Sequence, residues 1–152
     1  MEQVVNNNSP LLSICVPTYN RPEEFKRMMQ GLLPQLTSDV EVVVRDDSSN
    51  LETKLIFENL IAGNSFNHRY FKGGKIGVDA ANLFLIENAS GNYIWSFSDD
   101  DEVRDGAISR ILELISNYRD IQLIWVNFDY EKAKQPAYKR EDGFFENGEI
   151  KF

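Results

Sequence analysis

The chain is poor in cysteine, histidine and positive charge. Cys15 is its single cysteine and His68 its single histidine among 152 residues. One cysteine cannot close an internal disulfide, so a reducing, cytoplasmic setting is expected. Basic residues are outnumbered, with 16 Lys and Arg against 24 Asp and Glu and a formal net charge of -8. Such a surface repels phosphate backbones, which argues against nucleic acid as a partner. An anionic small ligand then needs local help, from a metal ion or a helix N-terminus. No apolar run approaches the roughly 18–20 residues that cross a bilayer. Residues 1–10 are polar, with Asn6, Asn7 and Asn8 in a row. They lack the basic and apolar regions of a signal peptide and read as a flexible N-terminus. No internal repeat is found.

What is present is an ordinary globular composition, 42% hydrophobic and 26% charged. The length suits one domain, and a chain of this size buries about 70% of its unfolded surface. Strand-like and helix-like segments alternate. Strands are expected at Leu11–Val16, Val40–Val44, Arg69–Phe71, Tyr93–Phe97 and Ile121–Phe128. Helices are expected at Pro22–Leu36, Leu51–Ile61, Val78–Ala89 and Gly106–Tyr118, with Pro34 limiting the first. Trp95 and Trp125 fall inside strands and are expected in the core. His68 is expected at a strand edge and Lys75 in a solvated loop. This β-α alternation implies an α/β fold with a mostly parallel central sheet flanked by helices over residues 11–130. Residues 131–152 read as an irregular tail or the start of a further part.

In such sheets a ligand lies beyond the carboxyl ends of the strands. Three strand ends carry polar groups there. Pro17, Thr18, Tyr19, Asn20 and Arg21 follow the first strand; Asp46, Asp47, Ser48 and Ser49 follow the second; Ser98, Asp99, Asp100, Asp101 and Glu102 follow the fourth. Four consecutive carboxylates raise one another's pKa and repel. A hard divalent cation removes that penalty, and Mg2+ or Mn2+ takes one or two carboxylates plus substrate phosphates. Both acidic runs also admit a plainer reading, as turns that cap the following helices. Tyr19 is either a packed aromatic or a platform for a base.

Taken together, these residues resemble family 2 glycosyltransferases of the GT-A fold, a Rossmann-like architecture. The run Ser13 to Arg21 (SICVPTYNR) is similar to that family's first-strand signature. Val42 to Ser49 (VVVRDDSS) is similar to its second, with Ser48 where Gly is usual. Gly77 to Asn82, then Ala89 to Ile94, resemble the helix and strand before its metal motif, with Ala81 where Arg is usual. Ser98 to Asp101 is similar to the DXD motif. The resemblance spans roughly residues 11–128. It implies that Pro17, Thr18, Tyr19, Asn20, Arg21, Asp47, Asn82 and Asp99 bind a nucleotide. Tyr19 would lie against the base, Asp47 would accept from it, and Asp99 would approach the ribose. Asp100, with Asp101 second, would hold Mn2+ or Mg2+. The implied donor is a UDP-sugar, and the implied acceptor a glycan or lipid-linked glycan at the inner face of the membrane. The implied catalytic base lies downstream, in an acceptor-binding half that this chain is expected to lack. A core so truncated would expose an apolar face and favour a homodimer.

Three other readings are weighed against this one. A phospho-acceptor receiver shares the α/β plan but wants an Asp after its third strand, where Lys72, Gly73 and Gly74 stand. A non-catalytic binding or assembly module of the same fold would have lost the motif carboxylates, which are present here. A nucleotidyltransferase would carry a glycine-rich basic loop after the first strand, unlike Pro17 to Arg21.

Overall fold

A computed structural model describes residues 9–118 and 120–126. Four strands form one parallel sheet: β1 (Leu12–Thr18), β2 (Val40–Asp46), β3 (Asn67–Lys72) and β4 (Tyr93–Ser96). Their order is β3-β2-β1-β4. The helices are α1 (Pro22–Leu32), α2 (Glu52–Ile61), α3 (Val78–Asn88) and α4 (Ala107–Asn117). This is the expected Rossmann-like α/β plan.

Sequence explains the elements locally. β1 and β2 are buried on both faces, as apolar runs in a parallel sheet must be. Helix α1 opens with Pro22 in its first turn, followed by Glu23 and Glu24 at the positive end of its dipole. It buries Phe25, Met28, Met29 and Leu32 at helical spacing. Pro34 cannot donate to the preceding turn, so the helix stops at Leu32 and finishes as a 3-10 turn at Leu33–Gln35. Helix α4 buries Ile108, Ile111 and Ile115 in the same way.

The chain winds from β1 out to β3, then returns to place β4 on the other side of β1. Right-handed crossovers therefore set α3 on the opposite face from α1 and α2. On one face Phe57 of α2 meets Phe25 of α1 and Tyr70 of β3, with centroids 6.2 and 4.9 Å away. On the other, Leu85 of α3 packs on Cys15 and Val43. Burial pushes the Cys15 thiol up to about 12, with the Glu41 charge adding, so it stays protonated and inert.

The amino-terminal edge of the sheet is held by a buried carboxylate. Glu41 is 2% exposed. It accepts from Ser13 Oγ at 2.6 Å and from the backbone N–H groups of Ser90 and Gly91. Gly91 lies so close to β1 that an added Cβ would sit 2.5 Å from Ser13 Oγ and 2.7 Å from Ser13 N. No larger residue fits there without moving backbone.

Among the described residues, one predicted strand is not formed. Residues 121–126 carry no strand, and residues 127–128 lie outside the described residues. An apolar β-branched run satisfies the sequence criterion for a strand, but a strand exists only with a ladder partner, which the run does not specify. Trp125, expected in the core, is 64% exposed for the same reason. Trp95 is half-buried and rests edge-on against Phe97. His68 is exposed on the edge strand β3, as expected.

Candidate nucleotide and metal site

Topology selects the place. The strand order reverses between β1 and β4, and a crevice opens at the carboxyl ends of strands at such a point. Pro17 helps to open it. Cys15 O accepts from Phe97 N at 2.9 Å, so alternate residues of β1 face β4. The last β1–β4 pair is Cys15 with Ser96, and the next residue to face that side is Pro17, which has no N–H to give. Pairing with β2 continues to Thr18 and Asp46.

Two clusters line this edge. In the first, Thr18 Oγ1 donates to Asp99 Oδ2 at 2.7 Å. Arg21 Nη1 donates to Asp99 Oδ1 at 3.1 Å, and Arg21 Nη2 to Asp100 Oδ2 at 2.6 Å. Ser98 Oγ donates to the other oxygen of Asp100. Asp99 is buried and Asp100 is exposed. Burial raises the Asp99 pKa and the Asp100 charge adds to this, against the opposing pull of Thr18 and Arg21. Asp100 is held below the usual carboxylate range by the Ser98 and Arg21 hydrogen bonds. Two adjacent carboxylates thus have distinct electrostatics, one desolvated and one offered to solvent.

The second cluster lies at the end of β2. Asp47 N donates to Thr18 O at 3.0 Å, which ties the two strand ends together. Arg45 Nε donates to Asp47 Oδ1 at 2.6 Å, and Ile76 N to Oδ2 at 3.2 Å. The Arg45 guanidinium also lies 4.5 Å over the Phe84 ring. Asn20, at φ 54, receives the Ser49 N–H on Oδ1 at 3.0 Å and gives its own N–H to Ser48 Oγ at 2.8 Å. Tyr19 is 40% exposed, and Lys75 Nζ sits 4.7 Å over its ring. Lys75 is exposed in a loop, as expected, and covers the Tyr19 ring as well.

The predicted residues divide accordingly. Thr18, Arg21, Asp99 and Asp100 form one hydrogen-bonded group. Asn20 and Asp47 belong to the adjoining one, and Tyr19 borders it through Lys75. Asn82 meets β4 by accepting from Ser96 Oγ at 3.2 Å. Asp101 is exposed, with its N–H 3.4 Å from Ser98 O. Asp46 is fully buried and serves the fold: it accepts from Tyr70 at 2.5 Å and from Ser48 N at 2.8 Å. Sequence reasoning missed Arg45 and the contact of Lys75. An Arg directly before an acidic pair at a strand end was the available signal for the first.

The turn reading holds for the run after β2, where Asp46 Oδ1 accepts from Ser48 N and Asn50 Oδ1 from Glu52 N at the start of α2. Helix α4 begins after Gly106 without a side-chain cap. Carboxylates 99–101 are left for other work. Among the described residues, no three carboxylate, imidazole or thiolate groups gather as a self-sufficient metal cage. Mg2+ and Mn2+ do not require one, since they complete their shells with phosphate oxygens and water. Asp100 and Asp101 are both exposed and carry the hard oxygen donors such an ion takes. The residues fit the ion.

The family model described as "Glycosyl transferase family 2" matches residues 13–151. The GalNAc(5)-diNAcBac-PP-undecaprenol beta-1,3-glucosyltransferase of Campylobacter jejuni is 32% identical over 108 residues, 68% of this chain and 34% of that protein. Abequosyltransferase RfbV of Salmonella typhimurium is 26% identical over 116 residues, 74% of this chain and 35% of that protein. Among solved structures, S. aureus TarS 1-349 in complex with UDP-GlcNAc superposes with a TM-score of 0.61 at 22% identity, over 71% of this chain and 32% of that one. The mannosyltransferase PcManGT of Pyrobaculum calidifontis, in complex with GDP-Man and Mn2+, gives 0.58 at 16%, over 71% and 33%. These likenesses show the GT-A fold. The chain spans about a third of the length of the curated relatives it matches. Sheet order, strand-end carboxylates and family model converge: the chain belongs to glycosyl transferase family 2.

Proposed function

We propose that this chain is the donor-binding portion of a transferase that moves a sugar from a UDP-sugar to an acceptor hydroxyl with inversion. The observation that carries this reading is the meeting of Thr18, Asp99 and Asp100 at the β1/β4 crevice. Tyr19 is exposed beside it, and Asp47 is buried at the adjoining end of β2, tied to Thr18 O. Tyr19 offers a ring face to the base, and Asp47 offers lone pairs to a ring N–H. Asp99, held by Thr18, faces the ribose. Asp100 is the principal metal ligand and Asp101 the flanking one.

A bound Mn2+ or Mg2+ supplies Lewis-acid stabilisation of the charge that develops on the departing diphosphate. Ser98 orients the Asp100 carboxylate through its hydroxyl. The acceptor hydroxyl attacks from the opposite face and loses its proton to a carboxylate base in the acceptor-binding part. Asp129, Glu131, Glu141, Asp142, Glu146 and Glu149, which do not match the family's base motif, lie outside the described residues. The acceptor is a glycan or lipid-linked glycan at the cytoplasmic face of a membrane. Support comes from the Campylobacter jejuni relative, whose name carries a PP-undecaprenol acceptor. Among the described residues no helix is long and apolar enough to cross a membrane. Uridine is supported by the UDP-GlcNAc complex of the neighbouring fold, while the GDP-Man complex supplies the competing base. Parallel titration with UDP and GDP in the presence of Mn2+ decides between them. Tighter binding of UDP supports the reading; equal or tighter binding of GDP overturns the choice of base.

A further inference from the structure

The clearest feature that these roles leave unexplained is where Arg21 spends its charge. Its two terminal nitrogens reach two different carboxylates, Asp99 at 3.1 Å and Asp100 at 2.6 Å. The second of these is the metal ligand of the proposed site. A guanidinium there occupies an oxygen of Asp100 and places a positive charge beside any divalent ion.

This placement is built into the backbone. Arg21 immediately precedes α1 with φ -132 and ψ 57, and gives that helix no side-chain cap. The turn that sends it towards β4 runs through Asn20 at φ 54, a conformation Asn tolerates better than most residues. Ser48 and Ser49 hold Asn20 in that turn through three hydrogen bonds. The second strand's loop therefore aims Arg21 at the fourth strand's acids.

We propose that Arg21 is the site's internal counterion, holding Asp100 against a lone metal ion and releasing it when a diphosphate arrives. This rests on the donor-site reading above. A diphosphate is a better partner for the guanidinium fork than a carboxylate already shared with Ser98. Transfer of Arg21 to phosphate frees an Asp100 oxygen for the metal, which also gains phosphate ligands. Metal and nucleotide then each raise the other's affinity by the same factor. The exposure of Arg21 and Asp100, 42% and 40%, leaves room for the exchange.

The test is Mn2+ binding to the full chain, read from the free-ion electron paramagnetic resonance signal, with and without UDP. The wild type is expected to bind Mn2+ weakly alone and at least roughly tenfold tighter with UDP. Arg21→Gln is expected to bind Mn2+ alone roughly three- to tenfold tighter than wild type, with a smaller gain from UDP. Arg27→Gln removes an arginine whose exposed ion pair joins Glu102, and is expected to leave both values unchanged. Structural damage from losing Arg21 would loosen the carboxylates and weaken binding, so a tighter variant has no such explanation. Unchanged or weaker Mn2+ binding in Arg21→Gln, with binding still lost in Asp100→Asn, overturns the counterion role and leaves the site intact. Absence of Mn2+ binding in every variant, with UDP present, overturns both.

Discussion

Thr18 Oγ1 and Asp99 Oδ2 lie 2.7 Å apart, a hydrogen bond between the ends of β1 and β4 across 81 residues of sequence. Both side chains are nearly inaccessible, at 4% and 5%. A buried carboxylate left without its donor bears a desolvation cost that the lost contact alone understates. Thr18→Val is therefore expected to destabilise the chain by about 1–3 kcal/mol. Thr18→Ser, which keeps the hydroxyl, should lose less than half of that. Urea unfolding at neutral pH checks both, with the slope unchanged if the native fold persists.

Asp47 and Arg45 form an ion pair with side chains only 6% and 12% exposed. Removing one partner leaves the other charge uncompensated. Asp47→Ala is expected to cost about 3 kcal/mol and to weaken UDP binding at least roughly tenfold. Replacing both by Arg45→Met with Asp47→Leu should restore most of the stability but none of the binding. Unfolding and calorimetric titration on the same three samples separate the two effects.

Glu41 supplies the clearest pH dependence. Its burial alone would raise the pKa, but the hydrogen bonds from Ser13 and Ser90 and the Arg69 charge outweigh it, and the pKa is lowered. A carboxylate lowered by folding contributes stability that is complete above its unfolded value, near 4.3. That stability is lost as pH falls through the lower folded value. Acidification below about pH 5 is expected to destabilise the chain, and Glu41→Gln should be less stable at pH 7 yet show a shallower acid limb. Thermal unfolding followed across pH 3–7 by circular dichroism measures it.

Gly91→Ala tests the close approach of the β4 lead-in to β1. The added Cβ would meet Ser13 N at 2.7 Å and Leu12 C at 2.9 Å, and neither is a flexible side-chain end. The expected loss is about 1–3 kcal/mol, seen as a lower Tm by roughly 3 °C for each kcal/mol.

The parts of this structure that sequence made legible are those encoded by local pattern. The helical spacing of Phe25, Met28, Met29 and Leu32 and the β-branched run from Val40 announced α1 and β2. The place of the acids followed from the strand-end rule once the β-α alternation was seen. What stayed hidden depends on partners distant in sequence. Glu41 sits in the middle of an apolar run, and only the arrival of Ser90 and Gly91 shows why a charge belongs there. Arg21 was readable at the end of the first strand, but its bridge to Asp99 and Asp100 needed the sheet order. Residues 121–126 carry strand composition without strand structure, because composition does not supply a ladder partner.

The central claim is a nucleotide diphosphate held through a metal on Asp100 at the β1/β4 crevice. Calorimetric titration of the chain with UDP, with and without Mn2+ and again with Asp100→Ala, tests it most directly. The account predicts binding that strengthens with Mn2+ in the wild type and loses that gain in Asp100→Ala. UDP binding by folded wild-type chain that is indifferent to Mn2+, or unchanged Mn2+ dependence in Asp100→Ala, would contradict it.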